Sequence, residues 1–496
     1  MKNKIFIFLF TLALTCCLPD DGIAQQTIPP VPQPDADGRV ITGRRESIHW
    51  KAYMKDADLS DYHHASPETV ENFKDMKFGL RIHWGIYSMI HGKESWVMPH
   101  VYQNKPEFLA WYHDLHRSWY PSGFCADEWM QLAVDGGYKF FVFTIKHHDG
   151  FSMYDTHTKV RQREAYVGPQ QGKLIEIDEH YSIMETPFKR DVTRELVDAA
   201  RKRGIKVGLY YSNPDWYDGD ARIRNEDGAS WPYQVNSDPQ AMERFRRRHR
   251  DQIRELLQNY GPVDLLCLDL DLDAVHWEHM KSTAKMARDL QPQVMMRWRG
   301  IGHYGDYQTP ENVIPGEEDL GTMPWQVIHA LSRRGIFSYE PDERQLHDGR
   351  WIVDKLVDIV AKGGNFMVGV GPDLSGRWHP KVVDSLKFAG QWLRTNGDAI
   401  FATRPRNPYR EGDYVWFTQS KDHKTLYVFH RGIPGAQGLL LNSVTVQGLR
   451  KVDLMGCSQA VEYSNKEGRL WIAPPEKIWS EQNSPEMHMV VYRLSY

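Results

Sequence analysis

Three aspartates, Asp269, Asp271 and Asp273, fall two apart at the end of the run 264–273, DLLCLDLDLD. Residues two apart on a β-strand share a face. One strand through the whole run would therefore line a single face with three carboxylates, which a packed interior does not accept without partners. The strand must stop near Asp269, leaving Asp271 and Asp273 in a solvated loop. Asp269 then stands at a rim on rigid support, as a nucleophile requires. An ion pair with Arg299, or a cap for the next helix, would account for its position equally well.

Other chemically capable residues gather at the ends of apolar runs. GLRIHWG ends in His83-Trp84, FFVFTIKHHDG in Lys146-His147-His148-Asp149, GLYYSNPDW in Tyr211, Asp215 and Trp216, and MMRWRG in Arg299. Histidine and aspartate are metal ligands. Adjacent strand residues point to opposite faces, however, so His147 and His148 are expected to diverge and to hydrogen-bond a polyol rather than share an ion. A serine nucleophile lacks its Gly-x-Ser-x-Gly elbow. The 17 tryptophans supply either a large aromatic core or flat platforms for sugar rings.

The elements that must position these groups alternate. Strand-like runs at 78–84, 138–146, 205–212, 263–269, 294–299 and 365–370 are interleaved with helical patterns at 127–136, 190–203, 242–260, 275–290, 351–361 and 381–395. Short, wholly apolar strands separated by helices predict parallel βαβ units with both faces covered. The rhythm over 49–400 predicts a (β/α)8 TIM-like barrel, in which catalytic groups lie at the C-terminal ends of the strands. No G-x-G-x-x-G follows the first strand. A long insertion, 156–182, follows the histidine strand and is expected to line the outer side of the pocket. From 401 to 496, short runs broken by Gly, Asn and Asp predict an antiparallel β-sandwich.

The 496 residues carry 61 Lys and Arg against 65 Asp and Glu, a net charge of −4 that offers no footprint for nucleic acid. Residues 1–24 have Lys2 and Lys4 before an apolar stretch, the pattern of a signal peptide. Residues 25–48 read as a Pro-rich linker. The protein is therefore expected to be exported, periplasmic or secreted, with lipid anchoring at Cys16 or Cys17 as the alternative. No later stretch is long and apolar enough to span a membrane. Cys125, Cys267 and Cys457 are expected to be buried free thiols.

The blocks KFGLRIHWGIYS, KHHDGFSMYDT, GLYYSNPDW, DLLCLD and LVDIVAKGGNFMVGVGPDLSGRWHP, in order over 65–405, resemble the α-L-fucosidases of glycoside hydrolase family 29. The resemblance implies a barrel followed by a β-sandwich and a retaining exo-glycosidase that needs no metal or organic cofactor. It implies Asp269 as nucleophile, with Cys267 where the family often has Trp and Leu270 where Gly often follows. RGIGHYGDYQTPE is similar to the family segment that runs from a sugar-binding arginine to the general acid/base, which assigns Arg299 and Glu311; Glu317 and Glu318 are the rivals. Sugar contacts fall on His83, His147, His148 and Tyr210, with Tyr211 as the alternative. Trp96 is expected to wall the pocket and Phe337 to pack on a C6 methyl. A more apolar wall is expected around Glu311 than around Asp269. The implied partner is a fucosylated glycan. An α-L-galactoside, or sugar binding without catalysis, are the competing readings.

Overall fold

Seven strands make one parallel sheet. In chain order they are β1 (Phe78–Ile82), β2 (Phe140–Lys146), then, after a hairpin of β3 (Val160–Glu164) and β4 (Leu174–Glu179), β5 (Lys206–Ser212), β6 (Leu265–Asp269), β7 (Met295–Met296), β8 (Gln326–Ala330) and β9 (Asn365–Val370). Their spatial order is β7-β6-β5-β2-β1-β9-β8. β1, β2, β6, β8 and β9 are buried at every residue, because helices cover the outside and side chains fill the inside. The computed structural model describes residues 52–55, 57–90, 94–98, 105–220, 238–315, 323–474 and 485–496. The expected signal peptide, 1–24, and linker, 25–48, lie outside them, as do Glu317 and Glu318.

The two sheet edges, β7 and β8, are joined by an extended segment, Tyr307–Glu311. It forms parallel bridges from Tyr307 to Arg297 on one side, and from Gln308 to Trp325 and Glu311 to Ile328 on the other. This segment takes the eighth position and closes the barrel. No full helix separates it from β7; a single 3-10 turn, Gly302–Tyr304, does. Asp306 pins that turn by accepting from the Met296 amide at 2.7 Å and from Arg288 at 2.6 Å. Gly305 lets the turn close tightly, since a Cβ there would meet the Trp298 Cα at 2.3 Å.

Inside the barrel the period of two carries the argument from core to site. Phe140, Val142, Leu265, Met295, Ile328 and Met367 fill the lower interior in one apolar cluster. Above them lies a polar layer of Arg81, Tyr210, Cys267, Arg297 and Tyr307. The Arg81 guanidinium stacks 3.8 Å from the Tyr210 ring centre, and Cys267 Sγ lies 3.2 Å from the Tyr307 hydroxyl. Two residues on from this layer stand His83 on β1, Ser212 on β5, Asp269 on β6 and Arg299 after β7, and Glu311 lies four residues beyond Tyr307 on the closing segment.

The C-terminal region has two antiparallel sheets, β10 (Arg410–Glu411), β11 (Val415–Gln419), β12 (Thr425–Arg431), β17 (Met489–Ser495) and β14 (Lys451–Leu454) in one, and β13 (Leu439–Leu441), β16 (Arg469–Ile472) and β15 (Tyr463–Lys466) in the other. Phe417, Val428, Val452 and Tyr492 meet Leu441, Leu470 and Ile472 between the sheets. Trp416, Phe429 and Val491, on the opposite face of the larger sheet, join the barrel's own core. Trp392 of the last barrel helix, Pro380–Asn396, donates its indole N–H to the Met489 carbonyl at 2.9 Å. Of the short runs that suggest strands, 444–449 is instead a turn-rich connection between β13 and β14. The three cysteines are free, but of these Cys267 alone is buried; Cys125 and Cys457 are partly exposed.

Candidate active site

β6 ends at Asp269, 8% exposed at the mouth of the barrel. One carboxylate oxygen, Oδ1, accepts from Arg297 Nη2 and, at 3.0 Å, from Arg299 Nη1. The other, Oδ2, accepts from the Tyr210 hydroxyl at 2.5 Å and lies 3.9 Å from His148 Nε2. A buried carboxylate is costly unless paired and hydrogen-bonded, and here both oxygens are served. Burial and the adjacent carboxylate push the Tyr210 phenol well above its usual range, so its hydroxyl stays a donor. Tyr211, the alternative tyrosine, points away: its hydroxyl donates to Gln252 at 2.7 Å and accepts from Lys146 at 3.0 Å.

Arg299 Nη1 also lies 3.1 Å from Glu311 Oε2, and Nη2 donates to the Thr309 carbonyl at 2.9 Å. One nitrogen touching both carboxylates holds those two oxygens no more than about 6 Å apart, below the roughly 6.5–9.5 Å of inverting glycosidases and close to the ~5–5.5 Å of retaining ones. Glu311 is the more open of the two, its side chain 29% exposed against 12% for Asp269. It rests against a guanidinium, which corrects the expectation of an apolar wall around it.

Three imidazoles ring the carboxylates. His147 Nδ1 meets the Ser95 hydroxyl, and its ring lies 5.9 Å from that of Tyr210 and 6.1 Å from that of His83. Burial, then Arg81 beside His83 and the other two imidazoles beside His147, hold His83 and His147 well below the usual histidine range. Each neutral ring therefore offers one donor and one acceptor. The expectation that His147 and His148 diverge is overturned, for their ring centres are 4.3 Å apart. β2 stops at Lys146 after a register shift, so strand alternation no longer governs the two histidines. Among the described residues no cluster of three or more His, Cys, Asp or Glu is arranged to hold a metal ion.

Aromatic rings complete the wall. Trp96 stands edge-on to His148 at 5.0 Å and to Trp216 at 5.3 Å. Phe337 stacks on His83 at 5.1 Å. It also sits over Gly369 of β9, where a Cβ would lie 2.3 Å from the ring. Glu94 fixes the Phe337 segment by accepting from the amides of Phe337 at 2.7 Å and Ser338 at 2.8 Å. The structure thus brings His83, Trp96, His147, His148, Tyr210, Asp269, Arg299, Glu311 and Phe337 to one place.

The sequence reading gave no role to Arg297, Arg81, Glu94 or Trp216. Arg297 had a usable signal: it is two residues before Arg299 and so shares its face. Trp216 stood at a strand end, where its backbone N–H donates to the His148 carbonyl at 2.8 Å. Glu94 had none, because its backbone partners lie more than 240 positions away.

Comparison with known proteins gives a consistent picture. A family model described as α-L-fucosidase matches residues 51–398. The chain is 25% identical to the tissue α-L-fucosidase of Bos taurus over 423 residues, covering 80% of this chain and 82% of that one. It is 27% identical to the plasma α-L-fucosidase of Homo sapiens over 430 residues, with 80% and 83% covered. The solved structure of α-L-fucosidase isoenzyme 1 from Paenibacillus thiaminolyticus superposes with a TM-score of 0.72 at 25% identity, over 86% of this chain and 98% of that one. With two adjacent carboxylates at the mouth of a closed barrel and a family model matched across that whole barrel, this chain belongs to the α-L-fucosidase family.

Proposed function

We propose that the protein is an exported, retaining exo-glycosidase that releases terminal α-L-fucose from glycans, with Asp269 as nucleophile and Glu311 as general acid/base. The observation that carries this reading is the single Arg299 nitrogen in contact with both carboxylates. It keeps the two oxygens it touches no more than about 6 Å apart, below the separation of the carboxyl groups in inverting enzymes. Asp269 attacks the anomeric carbon; the bond to the leaving oxygen breaks as Glu311 delivers its proton to that oxygen. A water then gives its proton to Glu311 and its oxygen to the anomeric carbon, and Asp269 is released. Arg297 and Tyr210 keep the Asp269 plane fixed. Histidines 83, 147 and 148 bind sugar hydroxyls, and Trp96 with Trp216 bounds the pocket. Phe337 presents an apolar ring, which favours the C6 methyl of fucose over the C6 hydroxyl of an α-L-galactoside by roughly 100-fold at most. Export rests on the residues 1–24 described above.

The test is hydrolysis of an aryl α-L-fucoside by the mature protein beside Asp269→Asn and Glu311→Gln. Asp269→Asn should abolish turnover. Glu311→Gln should keep measurable turnover on a leaving group that departs unprotonated and lose it on a disaccharide. Turnover surviving in Asp269→Asn would overturn the assignment.

A further inference from the structure

Leu270, directly after the candidate nucleophile, has φ +57°, the left-handed region that a leucine adopts at a cost and glycine adopts freely. Its carbonyl is gripped. Asn213, which follows β5, donates from Nδ2 to the Leu270 carbonyl at 2.5 Å, and its backbone N–H donates to the Asp269 carbonyl at 2.9 Å. Asn213 is in turn held from the helical shell. His249, on helix Pro239–Asn259, meets Asn213 Oδ1 through Nε2 at 3.2 Å. His249 Nδ1 meets Nε2 of His279, on helix Trp277–Leu290, at 3.0 Å. His279 Nδ1 meets Arg250 Nη2 at 3.0 Å.

The direction of this chain is fixed by its first member. Arginine can only donate, so His279 Nδ1 accepts and its Nε2–H donates to His249 Nδ1. The His249 Nε2–H then donates to the Asn213 oxygen, which turns the Asn213 amide nitrogen toward Leu270. Both imidazoles must be neutral for this to hold. Burial, helped by the adjacent rings and cations, keeps His249 well below its usual range and His279 at about 3. Asn213 is wholly buried, and His249 is 2% exposed. The turn after β7 accommodates the grip: a Cβ on Gly300, φ +75°, would lie 2.4 Å from Asn213 Nδ2 and 2.8 Å from the Leu270 carbonyl.

We infer that Arg250, His279, His249 and Asn213 form a one-way hydrogen-bond relay that holds Leu270 in its left-handed turn and thereby aims the Asp269 carboxylate. They are positioning residues, since none touches the reacting atoms. The inference rests on Asp269 being the nucleophile. A glycine at 270 would reach the same turn unaided, so the relay is the counterpart of a leucine at this position.

The test uses His249→Leu and Leu270→Gly, singly and combined, in the full-length mature protein. Two quantities are read: the rate at which 2-fluoro-fucosyl fluoride labels the protein at saturation, with the labelled residue mapped by mass spectrometry, and the dissociation constant of a non-covalent fucose-like iminocyclitol. His249→Leu should label about 10-fold or more slowly while binding the iminocyclitol within about 3-fold of wild type. With glycine at 270, the same substitution should slow labelling by no more than about 2-fold. Parallel loss of labelling and binding, unchanged labelling, or an equal penalty in both backgrounds overturns the relay. A label on a residue other than Asp269 overturns the nucleophile assignment instead, and the peptide map tells the two failures apart. Should His249→Leu not fold, His279→Leu, which removes both the acceptor for Arg250 and the donor to His249, replaces it in the cycle.

Discussion

Replacing Tyr210 by phenylalanine removes one oxygen from the site and little else. That oxygen donates to Asp269 Oδ2 at 2.5 Å and accepts from the Ser212 hydroxyl at 3.1 Å. The ring keeps its place under the Arg81 guanidinium, 3.8 Å away. Hydrogen bonds to a charged group contribute about 1.5–3 kcal/mol. If half or more of that fixes the carboxylate for attack, kcat/KM on an aryl α-L-fucoside should fall roughly 4- to 150-fold. Asp269 Oδ1 stays bound to Arg297 and Arg299, so the carboxylate remains paired and stability should change by no more than about 1–2 kcal/mol. Steady-state kinetics and urea unfolding, run on one preparation, separate the two effects. Activity within 2-fold of wild type would refute the claim that this bond orients the nucleophile. A large loss of stability would show that the hydroxyl serves the fold instead.

Two further outcomes concern buried charge around the pocket. Asp215 is wholly buried between Lys146 at 3.3 Å and Arg248 at 2.7 Å, so Asp215→Asn strips Lys146 of its carboxylate, leaves Arg248 with Asp218 at 3.6 Å, and should cost about 3–5 kcal/mol in urea unfolding; a loss under about 1 kcal/mol would contradict the pairing. Burial pushes the Asp149 carboxyl up to about 7 even though Tyr112 donates to it at 2.5 Å. Because the folded protein then holds a proton that the unfolded chain has released, this group's contribution to stability is full below about pH 4, is lost as pH rises through about 7, and is constant above. Unfolding free energies of wild type and Asp149→Asn between pH 5 and 8 should therefore diverge in favour of the variant as pH rises, and parallel curves would exclude the shift.

Much of this was legible from residue order. The stop of β6 at Asp269 followed from the cost of three carboxylates on one inner face, and it places Asp271 and Asp273 beyond the strand. The six helices read from their apolar period begin and end within about three residues of those observed, because capping residues such as Asp191 and Asp238 and terminating glycines such as Gly204 mark them. β8, QVIHA, carries a glutamine and a histidine among few apolar residues, so its buried character came from neighbours and not from its own pattern. The hairpin β3–β4 is a two-stranded ribbon separate from the barrel sheet; β4 alternates exposed with partly buried residues and β3 buries only its end residues, Val160 and Glu164, so hydrophobic period gives little signal there. The pair His147-His148 escapes the period-two rule because both residues lie past the end of their strand at Lys146. The relay behind Leu270 joins four segments and has no signature in any of them.

The closing segment Tyr307–Glu311 gives the two carboxylates unequal mechanical roots. Asp269 ends a strand paired on both sides, whereas Glu311 ends a short extended link that follows one 3-10 turn. Lengthening or recomposing the link between β7 and β8 would change where a proton is delivered without disturbing where the anomeric carbon is attacked. A fold arranged in this way lets selection, or a protein engineer, retune the aglycone while the sugar-binding half stands still.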